Sequence, residues 1–360
     1  MSPKRVLLTG AYGFIGSHIL DQLLSFNISV RAVVGSEVER EALRNQFPRT
    51  TEAELDFAIV PDADLLAPRA YDDALIATPQ PFDTVIHTVC AGLSEQDSFS
   101  HFVNLQSDSK KSFLESVRAF APRVRRVIIT NTLTLFARWL QSSELESQAR
   151  FNTSSLQSAA ASDPEFLLAT CHASDDTVND RLWKYIDDER PGFDLVALSA
   201  PSVYGPSTRH PRKITDLEEG NQMVWSICNA ASNQRTVFPS DGISYYADVR
   251  DFAFAHVQAA FIPEAGNRRF TIAAGVMSLQ IVSGILRMRF PELEARLPPE
   301  GSQGKVATSG KLSKDLVDSA PASAILGLIK YITIEETLVD VARQLLALEQ
   351  TLRGAGSGAG

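Results

Sequence analysis

Short apolar runs separated by helix-length segments fill the first 200 residues, and this alternation constrains the fold more than any other feature. The runs are RVLLT (5–9), SVRAVV (29–34), LDFAIV (55–60), DTVIHT (83–88), RRVIIT (125–130) and FDLVALS (193–199). Each is rich in Val and Ile and lacks polar/apolar alternation. A strand with one wet face alternates, whereas a run apolar throughout reads as a strand covered on both faces of a parallel sheet. Parallel neighbours need a crossover, and segments such as FIGSHILDQLLS (14–25) and SKKSFLESVRAFA (109–121) supply helices for it. The pattern predicts an α/β protein built on a doubly wound parallel sheet.

After Pro201 the chain is less regular. Pro and Gly punctuate it to about Pro239, then come a strand-like run, RRFTIAA (268–274), and amphipathic helices over 278–289 and 335–351. The expected organisation is a main domain over 1–200, built on the parallel sheet, to which 241–262 returns. A smaller mixed C-terminal substrate lobe takes 201–240 and 263–352. The closing residues 353–360, which include GAGSGAG, read as a flexible tail.

Composition excludes several classes of function. The net charge of -9 leaves no basic stripe for nucleic acid. No run approaches the roughly 18 apolar residues of a membrane span. MSPKRVLLTG enters a strand without the apolar region of a signal peptide, so a cytoplasmic location is expected. The three cysteines, Cys90, Cys171 and Cys228, are too scattered for a disulfide framework or a zinc knuckle, and no metal is expected.

The first run leads into TGAYGFIG, with Gly10, Gly13 and Gly16, and then into a helix. Strand, tight turn and helix N-terminus together suit a pyrophosphate. Glycines let the backbone approach it, and the first turn of the helix offers N–H groups and the positive end of the dipole.

The Gly-x-x-Gly-x-x-Gly spacing resembles the extended short-chain dehydrogenase/reductase superfamily, the NAD-dependent epimerase/dehydratase type. VRRVIITNT (124–132), PGFDLVALSAPSVYGP (191–206), YYADVRDFAFAHVQA (245–259), RFPEL (289–293) and IKYITIEETLVD (329–340) are similar to its dihydroflavonol-reductase and methylglyoxal-reductase branch. The resemblance runs over nearly all of 4–350. It implies a Rossmann domain, a bound NAD or NADP and a small-molecule carbonyl substrate. On that resemblance Gly10, Gly13, Phe14, Ile15 and Gly16 line the pyrophosphate, and Asp62 meets the adenine. Thr88 then sits by the ribose, with Ser202 and Val203 near the nicotinamide amide.

Reductases of this branch commonly hold a 2′-phosphate with an Arg after the second strand and a Lys four residues on. VVGSEVER puts Gly35 and Glu39 there, with Arg31 and Arg40 off register. Glu37 is placed to accept a ribose hydroxyl instead, which leans away from strict NADP dependence.

The family's chemistry uses a hydroxyl to orient the carbonyl, a tyrosine to donate the proton and a lysine four residues later to lower the tyrosine pKa. Thr132 stands at the hydroxyl position. Counting back from PGFDLV, the Tyr-x-x-x-Lys place holds CHASD, so Cys171 replaces the tyrosine and Asp175 the lysine. A thiol is a weak donor, and a carboxylate one turn away raises a neighbouring acid's pKa where a lysine lowers it. Asp175 retains the capacity to accept from ribose hydroxyls. On a helix Cys171 and Asp175 share one face, with His172 and Asp176 on the next, about 100° around. That division disfavours a metal site and a Cys–His nucleophile pair. It leaves His172 with Asp176 either as an acid/base couple or as ordinary polar helix residues.

Three classes of function stay open. One is a carbonyl reductase with replaced proton donors, in keeping with a place in secondary metabolism. Another is a non-redox cyclase, isomerase or lyase using the same pocket. The third is a catalytically silent binder that senses a dinucleotide or metabolite. The substrate and the oligomeric state are not legible.

Overall fold

A computed structural model of the protein describes residues 5–77, 80–90, 99–132, 164–230, 245–299 and 318–357. The N-terminal half alternates as the apolar runs predict. It comprises β1 Arg5–Thr9, α1 Phe14–Ser25, β2 Ser29–Val34, α2 Glu37–Gln46, β3 Leu55–Ile59, α3 Asp72–Leu75, β4 Thr84–His87, α4 Phe99–Phe120, β5 Arg126–Thr132, α5 Pro164–Glu189 and β6 Asp194–Ala200. Then follow β7 Ser202–Tyr204, α6 Glu219–Cys228, β8 Tyr245–Asp248, α7 Val249–Phe261, β9 Arg268–Thr271, β10 Gly275–Val276, α8 Leu279–Arg289, α9 Ala320–Leu326 and α10 Ile334–Ser357.

Seven strands form one parallel sheet in the order β3-β2-β1-β4-β5-β6-β9. The order reverses beside β1, between β1 and β4. A crevice opens at such a switch point beyond the carboxyl ends of the strands. Both faces are covered, which explains why the strand runs are apolar throughout. One face packs Val6, Leu8, Ile86 and Ile128 with Ile19 and Leu23 of α1 and Phe252 and Ala255 of α7. The other packs Leu7, Val85, Val127 and Ile129 with Phe113 and Val117 of α4 and Val178 and Leu182 of α5.

A three-stranded sheet, β10-β8-β7, carries a separate core. Tyr204, Val224, Tyr246, Leu286 and Leu338 are among its buried side chains, drawn from β7, α6, β8, α8 and α10. In the returning segment β8 belongs to this small sheet, while α7 crosses back onto α1 and the main sheet.

Two boundaries differ from the sequence expectation. RRFTIAA, assigned to the substrate lobe, supplies β9, which pairs in parallel with β6 from Val196↔Arg268 to Ser199↔Thr271. Without it the outer edge of β6 would leave backbone groups unpaired beside the core. The tail reading of 353–360 also fails over its first part. Helix α10 continues to Ser357, since extending a formed helix adds one hydrogen bond per residue ordered. Among the described residues no helix is long and apolar enough to cross a membrane.

Candidate functional site

The candidate cofactor residues gather at the carboxyl ends of the parallel strands. Gly10 follows β1 directly and adopts φ of +66°, a conformation that side chains resist. A Cβ there would also lie 2.5 Å from Thr88 Oγ1. The turn closes as Gly13 N–H donates to Gly10 O at 2.9 Å. A Cβ on Gly16 would come within 2.8 Å of the Gly10 carbonyl carbon, so the third glycine lets α1 sit against the loop. Phe14 is buried, Ile15 is half-buried and Gly13 is exposed. Gly13 is also the N-cap of α1. No side chain caps it, and the first turn holds no acidic residue. The first-turn N–H groups of a helix need a partner from outside it. An uncapped helix start behind a glycine turn that excludes Cβ atoms fits a dinucleotide pyrophosphate.

Thr88, after β4, is pinned across the switch point. Its Oγ1 donates to Thr9 O at 2.8 Å, and its N–H donates to Thr9 Oγ1 at 3.2 Å. Asp62 lies at the end of β3 against the Gly35 backbone, where a Cβ would be 3.0 Å from its Cγ. Gly35 N–H donates to Glu39 Oε2 at 2.8 Å, and the Ser36 hydroxyl caps α2 by accepting from Glu39 N–H. Glu37 pairs with Arg40 at 2.6 Å on the exposed start of α2. Arg31 is committed to the interior, held by Asp56 at 2.6 Å and by the carbonyls of Ala74 and Ile76. Ser202 and Val203, both half-buried, lie on β7 beside β8.

The catalytic candidates come from β5 and α5. Thr132 ends β5 opposite Ala200, and Cys171 and His172 lie on α5. The side chains of these three fall outside the described residues. Asp175 is buried, and its Oδ2 accepts from Ser199 Oγ of β6 at 2.7 Å and from Asn179 Nδ2 at 3.1 Å. The expectation of a carboxylate aimed at ribose hydroxyls therefore changes, because two interior donors hold Oδ2 within the protein. Asp176 differs as well. It is largely exposed and reaches Arg269 of β9 at 3.3 Å, while Asp180 holds the same guanidinium at 2.6 Å. The edge strand thus draws Asp176 outward, toward β9. Tyr185 is buried in the core between α4 and α5, away from the strand ends.

Sequence reasoning missed the rest of the chain of bonds behind Asp175. Asn179 Oδ1 accepts from Asn131 Nδ2 at 3.1 Å, and Asn131 Oδ1 accepts from the ammonium of Lys110 on α4. Lys110, Asn131, Asn179, Asp175 and Ser199 are all buried. A buried cation and a buried anion are thus joined through two amides directly beneath the end of β5. A signal was present. Lys110 falls on the helical stripe of Val103, Ser107, Leu114 and Val117, every one of them buried. Among the described residues no cluster of three or more His, Cys, Asp or Glu could hold a metal.

Comparison with known proteins agrees with this architecture. The family described as "NAD dependent epimerase/dehydratase family" matches residues 6–273. Ketoreductase azaE of Aspergillus niger is 29% identical over 297 residues, covering 82% of this chain and 85% of that protein. NADPH-dependent methylglyoxal reductase GRE2 of Saccharomyces cerevisiae is 28% identical over 356 residues, covering 96% and 98%. The crystal structure of yeast methylglyoxal/isovaleraldehyde reductase Gre2 complexed with NADPH superposes with a TM-score of 0.70 at 24% identity, over 96% of this chain and 99% of that one. Gre2 from Candida albicans does so with a TM-score of 0.71 at 22% identity, over 96% and 100%. The fold thus has its counterparts among solved structures, and the chain belongs to the NAD dependent epimerase/dehydratase family, in its extended short-chain dehydrogenase/reductase branch.

Proposed function

We propose that the protein is a small-molecule enzyme that binds NAD or NADP at the glycine turn and acts on a carbonyl-containing substrate without the family's tyrosine and lysine. The observation that carries the binding half is the uncapped start of α1 behind Gly10, Gly13 and Gly16. Reductases named for methylglyoxal and for ketones among its relatives support the substrate class. When bound, a nicotinamide dinucleotide supplies or accepts a hydride at a carbonyl carbon. Thr132, ending β5 beside this site, is the residue assigned to orient the carbonyl oxygen through its hydroxyl. Gly10, Gly13 and Gly16 with the first turn of α1 hold the pyrophosphate. Thr88 meets the ribose, Asp62 the adenine, and Ser202 and Val203 the amide. Glu37, already paired with Arg40, is the residue assigned to the adenosine ribose hydroxyls.

Proton delivery is where this chain departs. Cys171 occupies the tyrosine place, and Asp175 puts a buried carboxylate where a cation belongs. A negative neighbour stabilises the protonated form of an acid, so it weakens any donor beside it. That observation also favours a second reading, a non-redox conversion in the same pocket with the dinucleotide held but not consumed.

The test begins with thermal shift in the presence of NADH and NADPH, followed by cofactor oxidation with a panel of aldehydes and ketones. The expected result is a clear shift with at least one dinucleotide and slow turnover. Cys171→Tyr should raise that turnover by about a hundredfold, the lower end of general acid catalysis. Product formed without net cofactor consumption would select the second reading. No shift with either dinucleotide would sink both.

A further inference from the structure

Against the glycine turn stands a cation, Arg209. The guanidinium carbon of Arg209 lies 3.3 Å from the ring centroid of Tyr12, the residue just ahead of Gly13 in the turn. Among the described residues Arg209 Nη1 is a buried nitrogen without a hydrogen-bond partner, and Thr208 Oγ1 beside it is likewise buried and unpartnered. Leaving a charged donor unsatisfied away from water is costly, so such groups point to a missing ligand.

The segment that carries them is fixed at several points. His18 Nε2 of α1 donates to Pro206 O at 2.8 Å. Ser207 exchanges two bonds with Gln344 of α10: its N–H donates to Gln344 Oε1 at 2.8 Å, and its carbonyl accepts from Gln344 Nε2 at 3.0 Å. Arg209 is therefore delivered from the smaller lobe onto the turn by anchored backbone. A guanidinium over the face of an aromatic ring does not spend its N–H groups on that contact, and they form the fork that matches phosphate oxygens. The charge of Arg209 reaches the Glu218 carboxylate, but no ion pair joins them among the described residues.

We propose that Arg209, stacked on Tyr12, is a ligand of the dinucleotide pyrophosphate, closing it from the lobe side while the start of α1 holds it from the sheet side. Thr208 supplies a hydroxyl to the same phosphate oxygens. The inference rests on the dinucleotide reading above and adds a residue that couples cofactor binding to the lobe that would form the substrate pocket.

The experiment is titration calorimetry of wild type, Arg209→Gln and Arg209→Lys with the preferred dinucleotide and with ADP-ribose, which carries the pyrophosphate but no nicotinamide. Each protein's melting temperature is measured without ligand. Arg209→Gln should weaken both ligands by about ten- to a hundredfold, the loss of a charge-assisted contact. It should also flatten the dependence of affinity on salt. Arg209→Lys should recover part of the affinity, and the ligand-free melting temperature should not fall. Unchanged affinity for both ligands in Arg209→Gln would overturn the proposal while the dinucleotide reading stands. So would a variant that binds both normally but shows a raised KM for the carbonyl substrate, since the anion would then be the substrate's. A wild type that binds neither dinucleotide removes the reading and the proposal together.

Discussion

At the scale of single residues the glycine turn is the part most open to a first reading of the sequence. Its requirements are local: a positive φ at Gly10 and room for backbone at Gly16. Both are written in residue type and spacing, and neither depends on a distant partner. Gly16→Ala tests this directly. The added Cβ meets the Gly10 carbonyl group, which is backbone and cannot swing away. Overpacking of this kind costs about 1–3 kcal/mol. The expected outcome is a lowered melting temperature together with weaker dinucleotide binding in calorimetry. A variant that binds as well as wild type would show that the turn tolerates opening. By contrast, the fates of Asp175 and Asp176 were not legible. Each is decided by a partner on another strand, Ser199 of β6 for the one and Arg269 of β9 for the other. Residue type and helical spacing place a carboxylate on a face, but they do not say which donor will reach it.

Among the elements, α4, β5, α5 and β6 are tied by polar side chains where apolar contact would be the default. The Lys110–Asn131–Asn179–Asp175–Ser199 series places one positive and one negative group in a buried layer, with every bond between them running through an amide or a hydroxyl. Removing one charge leaves the other uncompensated, a loss of about 3–5 kcal/mol for buried ionic groups. Lys110→Met and Asp175→Asn should each destabilise strongly in denaturant unfolding. The double variant should be less destabilised than the sum of the two, with a coupling of about 0.5–3 kcal/mol. Strict additivity would show that the two charges do not sense one another through the amides. The strands themselves were readable because burial on both faces removes alternation. The role of β9 was not, since a short edge strand with Arg268 and Arg269 exposed carries little apolar signal. Its place follows from the unpaired edge of β6, which only the assembled sheet reveals.

Across the whole molecule, the two faces of the main sheet each bury a histidine. His87 stacks on Phe113 with ring centroids 4.0 Å apart, and its Nδ1 meets Thr9 Oγ1 at 2.9 Å. On the opposite face, His256 of α7 donates from Nδ1 to Phe252 O at 2.7 Å, which leaves Nε2 to accept from Thr130 Oγ1 at 2.8 Å. Burial pushes His87 down to about 3 and His256 down to about 4, from an ordinary 6.5. Burial also lowers His18. Between pH 6.5 and those values the unfolded chain binds protons that the folded chain refuses. This part of the stability is therefore complete above pH 6.5 and drains away as pH falls. Asp251 works in the opposite direction. Burial raises it from 3.8 to about 6, although Ile332 N–H donates to its Oδ2 at 2.8 Å. The folded state then holds a proton that the unfolded state has released, so this contribution is present at low pH and lost as pH rises through about 6. Near pH 5 the three buried histidines oppose two carboxylates that burial raises, Asp251 and Glu218, and the net effect is acid destabilisation. Unfolding free energy from urea titrations should rise with pH between about 4.5 and 6.5. Asp251→Asn removes one of the opposing groups, so its slope over that window should be steeper than that of wild type. A wild-type stability that is flat or falls with pH there would mean the histidines are not held neutral by the two cores. An unaltered slope in Asp251→Asn would mean the carboxylate already ionises in the folded state as it does in water.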